Sequence, residues 1–400
     1  MAVRVNKDAF NIRDKLSELA VKFGLKGSEL MRAETVQDAR DLVSAGRKNL
    51  IINGDMRVAQ RGTSAVTAND GYPVDRWVFS NTDSADIQIE QSTDVPLGGG
   101  FNHSIKWSVN AASNTTGSQA IRQFIEVQDS KYQLGWGTSE GKSATLSFWI
   151  KGSQSGTVTA SVREGANASA SFLHLTEVST SWTKHSFTIP HTSLGSWSSD
   201  ASGRGVAVIF AFDRHNTAAG STEDQWVSAN HINLNSQTEW VAISGAEIYI
   251  TGVQLEVGKN ATDFEHCSYG EELALCQRYY QRLSLTDYTG FPLILRKSGG
   301  GDGEGAYRLS PPMRTTPSGG FFGTGIINGW KIYTPTNDTT ANVTSITLAQ
   351  QNISDYITDT GSADYVQFQL GGMSGSTGDV GILFFSGGTQ DNQYYFSSEL

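Results

Sequence analysis

Three tryptophans stand in loop-like surroundings: Trp136 between Gly135 and Gly137, Trp197 in the run Gly195 to Ser199, and Trp226 after Glu223-Asp224-Gln225. An indole face is flat and electron-rich, so sugar rings stack on it while nearby Asn, Asp and Ser exchange hydrogen bonds with hydroxyls. Each of the three is therefore either a saccharide platform or a ring folded over its own loop to staple it. Eight of the nine tryptophans, all but Trp330, fall between Arg76 and Trp240, so any such chemistry belongs to that part of the chain. Trp77, Trp107, Trp149, Trp182 and Trp240 sit in alternating runs and read as core or inter-subunit packing, because large aromatics are mostly buried.

Other chemistries fail when their context is checked. Gly141-Lys142-Ser143 has the last letters of a phosphate-binding loop, but the motif needs glycine where Trp136 stands, and a strand follows instead of a helix. The letters from Gly301 to Ala306 fit a dinucleotide fingerprint, yet Pro311-Pro312 prevents the helix that would hold a pyrophosphate. They read as a glycine-rich loop. The seven histidines lack metal-ligand spacing. Asp213-Arg214-His215, at the end of an apolar run, reads as a solvated strand end rather than an acid/base centre. A pair of carboxylates for glycoside cleavage stays open, since it is defined by a separation in space. No enzyme emerges from these residues.

Forty-three glycines, eight prolines, 18% charged and 38% apolar residues in a 400-residue chain describe many short strands joined by turns. No apolar run reaches the ~18 residues of a membrane span, which predicts no membrane insertion. The N-terminus lacks a signal-peptide core, which predicts a mature chain starting near Met1. Two cysteines, Cys267 and Cys276, make no disulfide framework and read as buried small apolar residues. Residues 1–49 hold 10 Lys/Arg against 7 Asp/Glu, whereas the rest holds 20 against 33. That acidic body would repel phosphate backbones, which predicts no nucleic-acid partner.

The fold class expected is mostly β, with four parts. Residues 1–48 form a helical segment: Ile12, Leu16, Leu19 and Phe23 share one face, and a second helix starting at Thr35 carries Val36 and Val43. Helices this short need a partner to bury their stripe, either copies of the same chain or a docking surface. Residues 49–270 are a β-sandwich. Ala144, Leu146, Phe148 and Ile150 alternate with polar neighbours, and Val206 to Phe212 is apolar on both faces, as in a strand covered on both sides. Residues 271–285 are a connecting helix with Leu273, Cys276, Tyr280 and Leu283 on one face. Residues 286–400 form a smaller C-terminal β-sandwich, including a hairpin at Asn328-Gly329.

The opening run Asn49 to Asp55 (NLIINGD), the closing run Ile250 to His266 (ITGVQLEVGKNATDFEH) and the following Ser268 to Gln281 (SYGEELALCQRYYQ) resemble the carbohydrate-binding-module-like jelly roll of tail fibres and receptor-binding proteins of tailed bacteriophages. The resemblance spans roughly residues 49–282. Pro311 to Pro317 and Phe396 to Leu400 resemble the way such fibres continue and finish.

That resemblance implies a host-recognising tail fibre or spike component of a virion, assembled in the host cytoplasm, that binds cell-surface polysaccharide or lipopolysaccharide without cleaving it. It implies a homotrimer, and it places the docking on other tail proteins in residues 1–48. Trp136, Trp197 and Trp226 are the expected ligand contacts. Ile12, Leu16, Leu19, Phe23, Val36 and Val43 are the expected anchoring or oligomerisation residues. The alternatives are a decoration or joining protein of capsid or tail, and a glycan depolymerase. No cofactor is expected. Sandwiches of this resemblance often carry structural calcium, but Asp55 and Glu256 at the ends of the unit form no contiguous ligand loop, and the metal is left undetermined.

Overall fold

A computed structural model describes residues 47–82, 86–113, 117–213, 219–284, 290–297, 302–315, 317–321, 330–334, 339–342, 345–349, 363–371, 380–385 and 393–400. The stripe residues Ile12, Leu16, Leu19, Phe23, Val36 and Val43 lie outside them, as do Arg214, His215 and Asn328-Gly329. Ile51–Leu400 forms one compact unit, and the structure is mostly β.

Two antiparallel sheets make the sandwich. The seven-stranded sheet runs β1 (Gly71–Val74), β2 (Trp77–Asn81), β5 (Gln119–Glu126), β10 (Arg204–Ala211), β7 (Gly156–Glu164), β8 (Ser171–Val178) and β12 (Trp226–Val227). The five-stranded sheet runs β3 (Asp86–Ser92), β4 (Ser104–Ala111), β14 (Glu247–Val257), β6 (Ala144–Gly152) and β9 (Thr183–Ile189). A short parallel pair, β11 (Ala219–Gly220) and β13 (Asn233–Leu234), lies in the connection between β10 and β14.

Period-two patterning decides which residues meet between the sheets. Ala144, Leu146, Phe148 and Ile150 of β6, and Val158, Ala160 and Val162 of β7, are all fully buried. Rings join the layers: Phe148 meets Phe210 edge-on at 4.8 Å, and Trp107 stacks on Phe212 at 4.7 Å. β10 is buried on both faces, because Ala207, Ile209 and Ala211 cover the side opposite Val206, Val208 and Phe210. A helix not expected from the sequence, α1 (Val127–Leu134), follows β5 and ends at Gly135 in the left-handed conformation.

The opening and closing runs meet in space. Val253 N–H donates to Gly54 carbonyl at 2.9 Å, an approach so close that a Cβ on Gly54 would sit 2.1 Å from the Val253 carbonyl oxygen. Within β14 the register slips between Thr251 and Gln254, where Gly252 has φ +63°. Asn53 organises the junction: its amide bonds Val58 and the Asp75 carbonyl, its own carbonyl accepts from Trp77 Nε1 at 3.0 Å, and its N–H donates to Glu272.

Glu272 lies on α2 (Tyr269–Gln277), which is shorter than the helix expected over 271–285. Tyr280 and Leu283 are not on a helical face. They belong to β15 (Tyr280–Ser284), which pairs with β24 (Gln393–Ser397) in a three-stranded sheet completed by β18 (Ser318–Phe321). Cys276 is buried as expected, whereas Cys267 is only half-buried and donates from Sγ to Glu272. A further seven-stranded sheet runs β20 (Thr339–Asn342), β19 (Trp330–Thr334), β23 (Val380–Phe385), β16 (Gly290–Lys297), β17 (Asp302–Met313), β22 (Ala363–Gly371) and β21 (Ser345–Ala349). Residues 302–305, expected in a loop, open β17.

Candidate functional site

Trp136, Trp197 and Trp226 converge at one end of the sandwich. Their ring centroids stand 5.9 Å (136 to 197), 5.3 Å (136 to 226) and 6.3 Å (197 to 226) apart, every pair edge-to-face. Two loops and a short strand bring them together. Trp136 follows α1, whose first N–H groups are capped by the Gly203 and Ala201 carbonyls. Trp197 lies beyond β9, and its ring rests on Gly137, where a Cβ would come within 2.4 Å of it. Trp226 sits on β12 against Phe172 of β8.

All three indole N–H groups are spent on backbone: Trp136 on Lys142, Trp197 on Leu194 and Trp226 on Pro190, each at 2.7 Å. Trp136 and Trp197 therefore staple their own loops and Trp226 ties β12 to the end of β9, and what the rings offer a ligand is faces and edges, not donors. Trp136 is only 3% exposed, while Trp197 and Trp226 are half-buried.

Beside this triad lies a cavity of ≈ 100 Å³, bounded by α1, Gly205-Val206 and the rings of Trp136 and Trp197. Water needs roughly 10–15 Å³ by the same measure, so the space takes a group several waters in size. Its polar lining is Ser130, Lys131, Thr138 and Ser198, with no carboxylate among the described residues. The geometry offers stacking and hydroxyl hydrogen bonding without a general acid/base pair. Gly141-Lys142-Ser143 is the loop that closes over Trp136, since the Lys142 N–H donates to the Leu134 carbonyl at 2.7 Å.

A second aromatic surface escaped the sequence reading. Trp149 and Trp182 are half-buried on the outer face of the five-stranded sheet, not in the core with Trp77, Trp107 and Trp240. Trp182 meets Tyr249 edge-on at 6.3 Å, and Lys151 Nζ lies 4.5 Å from the Tyr249 ring. Charges here are paired: Lys151 with Asp94, and Lys106 with Glu247 at 2.8 Å and Glu90 at 3.8 Å. Burial pushes the Asp94 carboxyl up, but hydrogen bonds from Lys151 and Trp182 outweigh it and hold the group below its ordinary value. The missed signal was parity, for Trp149 falls in step with Thr145, Ser147 and Lys151, and Trp182 with Lys184, Ser186 and Thr188.

Asp55 and Glu256 both have protein partners. Glu256 binds Thr262 and Gln254 with its two oxygens, and Asp55 pairs with Arg57 at 3.1 Å. Among the described residues, His174, Glu223 and Asp224 do bring ligand atoms within 4.8 Å of one another, with His174 Nδ1 2.7 Å from Asp224 Oδ1.

No family model and no curated protein matches this chain. Solved structures similar to it include the enzymatically active domain of bacteriophage CBA120 tailspike protein 4, at 17% identity and TM-score 0.31 over 52% of this chain. The match spans about a fifth (21%) of that tailspike chain. The CBM22-1 xylan-binding domain from Paenibacillus barcinonensis is similar at 9% identity and TM-score 0.27, over 54% of this chain and 99% of its own. The family 11 carbohydrate-binding module of a Clostridium thermocellum cellulosomal cellulase is similar at 10% identity and TM-score 0.26, over 50% and 98%.

Proposed function

We propose that the chain is a non-enzymatic, saccharide-binding component of a phage tail fibre, and that its sandwich holds host-surface glycan in the cleft beside Trp197. The observation that carries the binding is the cavity itself: an indole face whose N–H is already occupied, hydroxyls from Ser130, Thr138 and Ser198 around it, and no carboxylate among the described residues of its lining. A sugar ring laid on that face buries its apolar side and turns its hydroxyls to the rim. The tail-fibre role, the three-fold assembly and the docking through residues 1–48 rest on the opening and closing runs and on the apolar stripes of the N-terminal segment.

The test is binding of full-length protein to surface polysaccharide from candidate hosts, with Trp197→Ala beside the wild type. The variant should bind at least about tenfold more weakly, as expected for loss of a central aromatic anchor. Unchanged affinity would remove the cleft from the site, and release of reducing ends would replace binding by cleavage. Sedimentation of the same sample should report three copies; a monomer would remove the trimer.

A further inference from the structure

The pocket beside Trp197 is built in two layers of different chemistry. Its floor is apolar: Val127 and Leu134 of α1, Val206 of β10 and the Trp136 ring are each 4% exposed or less. Val127 and Leu134 stand about two helical turns apart on one buried face of α1, with Ser130 between them. Gly205 lets that face come close to β10, since a Cβ there would lie 2.1 Å from Ser130 Oγ. The wall is the ring of Trp197, half-buried, with its N–H already given to Leu194.

The polar groups above the floor are not equivalent. Ser130 Oγ gives its proton to the Glu126 carbonyl at 2.9 Å, and Thr138 Oγ1 gives its proton to the Gly135 carbonyl at 2.6 Å. A hydroxyl has one proton, so both oxygens can only accept from a ligand. Thr138 already accepts from the Glu140 N–H at 3.2 Å, whereas Ser130 accepts from no described residue. Lys131, exposed at the same pocket, supplies an ammonium donor. A sugar substituent that fills this space must therefore bring apolar surface for the floor, a donor for Ser130 and an acceptor for Lys131. A hydroxyl brings no methyl and would leave most of the ≈ 100 Å³ to water lying on an apolar floor. A carboxylate brings no donor and meets a chain of net charge −10, while a protonated amine is repelled by Lys131.

We infer that this pocket selects N-acetylated sugars. With the pyranose ring on the face of Trp197, the acetamido methyl packs on Val127, Leu134 and Val206, its N–H donates to Ser130 Oγ, and its carbonyl accepts from Lys131 Nζ. The acetamido group is uncharged and carries all three features at once, which is what the floor, the proton-spent hydroxyl and the ammonium together ask for. The inference rests on the saccharide reading above and adds the kind of sugar to it.

Full-length protein is titrated with the methyl glycosides of N-acetylglucosamine, N-acetylgalactosamine and N-acetylmannosamine, each beside its hydroxyl parent, glucose, galactose or mannose. Methyl glucosaminide and methyl glucuronide serve as the cationic and anionic comparisons. At least one acetylated sugar should bind about tenfold more tightly than its parent, the combined worth of one buried methyl and one hydrogen bond. In saturation-transfer NMR its acetyl methyl protons should receive more magnetisation than its ring protons. Ser130→Ala removes the acceptor and should shrink the ratio of the two affinities by at least about threefold, whereas a loss of fold would lower both alike. Equal binding within all three pairs, tighter binding of the glucuronide or the glucosaminide, or a ratio that Ser130→Ala does not move overturns the inference and leaves the cleft standing. Failure of the cleft shows differently, as binding of none of the sugars, acetylated or not.

Discussion

Asp75 shows how a single buried carboxylate makes the sandwich sensitive to pH. It is 1% exposed, lies 3.5 Å from the Arg61 guanidinium, and accepts from Gln60 N–H at 3.1 Å. Burial is the larger influence, and it lifts the carboxyl from 3.8 to about 6 against the pull of Arg61 and Gln60. The folded state therefore binds the proton more tightly than the unfolded chain. The resulting stability is complete below about pH 4 and is lost as pH rises through about 6, with a ceiling of about 3 kcal/mol. Unfolding free energies measured at pH 4 and pH 7 should fall more steeply for wild type than for Asp75→Asn; parallel profiles would show that Asp75 is not held protonated. Legibility at this scale was uneven. Loop-like context singled out Trp136, Trp197 and Trp226, but nothing in the sequence said that three distant segments converge, that Trp226 stands on a short strand, or that each indole N–H is consumed by backbone carbonyls.

At the scale of elements, alternation in β6 and β7 was enough to place their inner residues, because a two-residue period has one solution once one face is buried. The helix after the sandwich was harder. Steps of three and four continue through Tyr280 and Leu283, but Tyr280 is claimed by pairing with Ser397, a partner more than a hundred residues away. What the helix does fix is its start. Ser268 accepts from Glu271 N–H at 3.3 Å while the Glu271 carboxylate accepts from Ser268 N–H at 2.8 Å, a reciprocal capping box. Ser268→Ala should cost about 1 kcal/mol, read as a lowered denaturation midpoint with unchanged slope. α1 went unread because Ser130 breaks the apolar stripe between Val127 and Leu134, and the buried face is completed by a hydrogen bond from Ser130 Oγ to the Glu126 carbonyl.

Across the whole molecule, the last strand returns to the first part of the sandwich. β24 pairs with β15, and beyond it Glu399 reaches Arg76 through one oxygen and Arg61 through the other, while Leu400 packs against two core clusters of the sandwich. Arg76 is 3% exposed and lies 3.4 Å over the Tyr279 ring; burial opposes its charge, but Glu399 together with Tyr279 and Tyr72 outweighs it and raises its basicity. Sequence divides the chain at residue 286, whereas this contact ties residues 399–400 to the sandwich. Removing the carboxylate leaves a buried guanidinium short of its counter-charge, so Glu399→Ala should destabilise the tryptophan-rich sandwich by about 3–5 kcal/mol, although the substitution lies more than a hundred residues outside it. Arg76→Met combined with Glu399→Leu removes both charges and should recover most of that loss, because the desolvation cost disappears with the pair. Denaturant unfolding followed by tryptophan fluorescence, which comes from eight tryptophans between Arg76 and Trp240 and one, Trp330, outside them, separates the outcomes. If Glu399→Ala leaves that transition in place, the return of the chain end contributes nothing to the sandwich it touches.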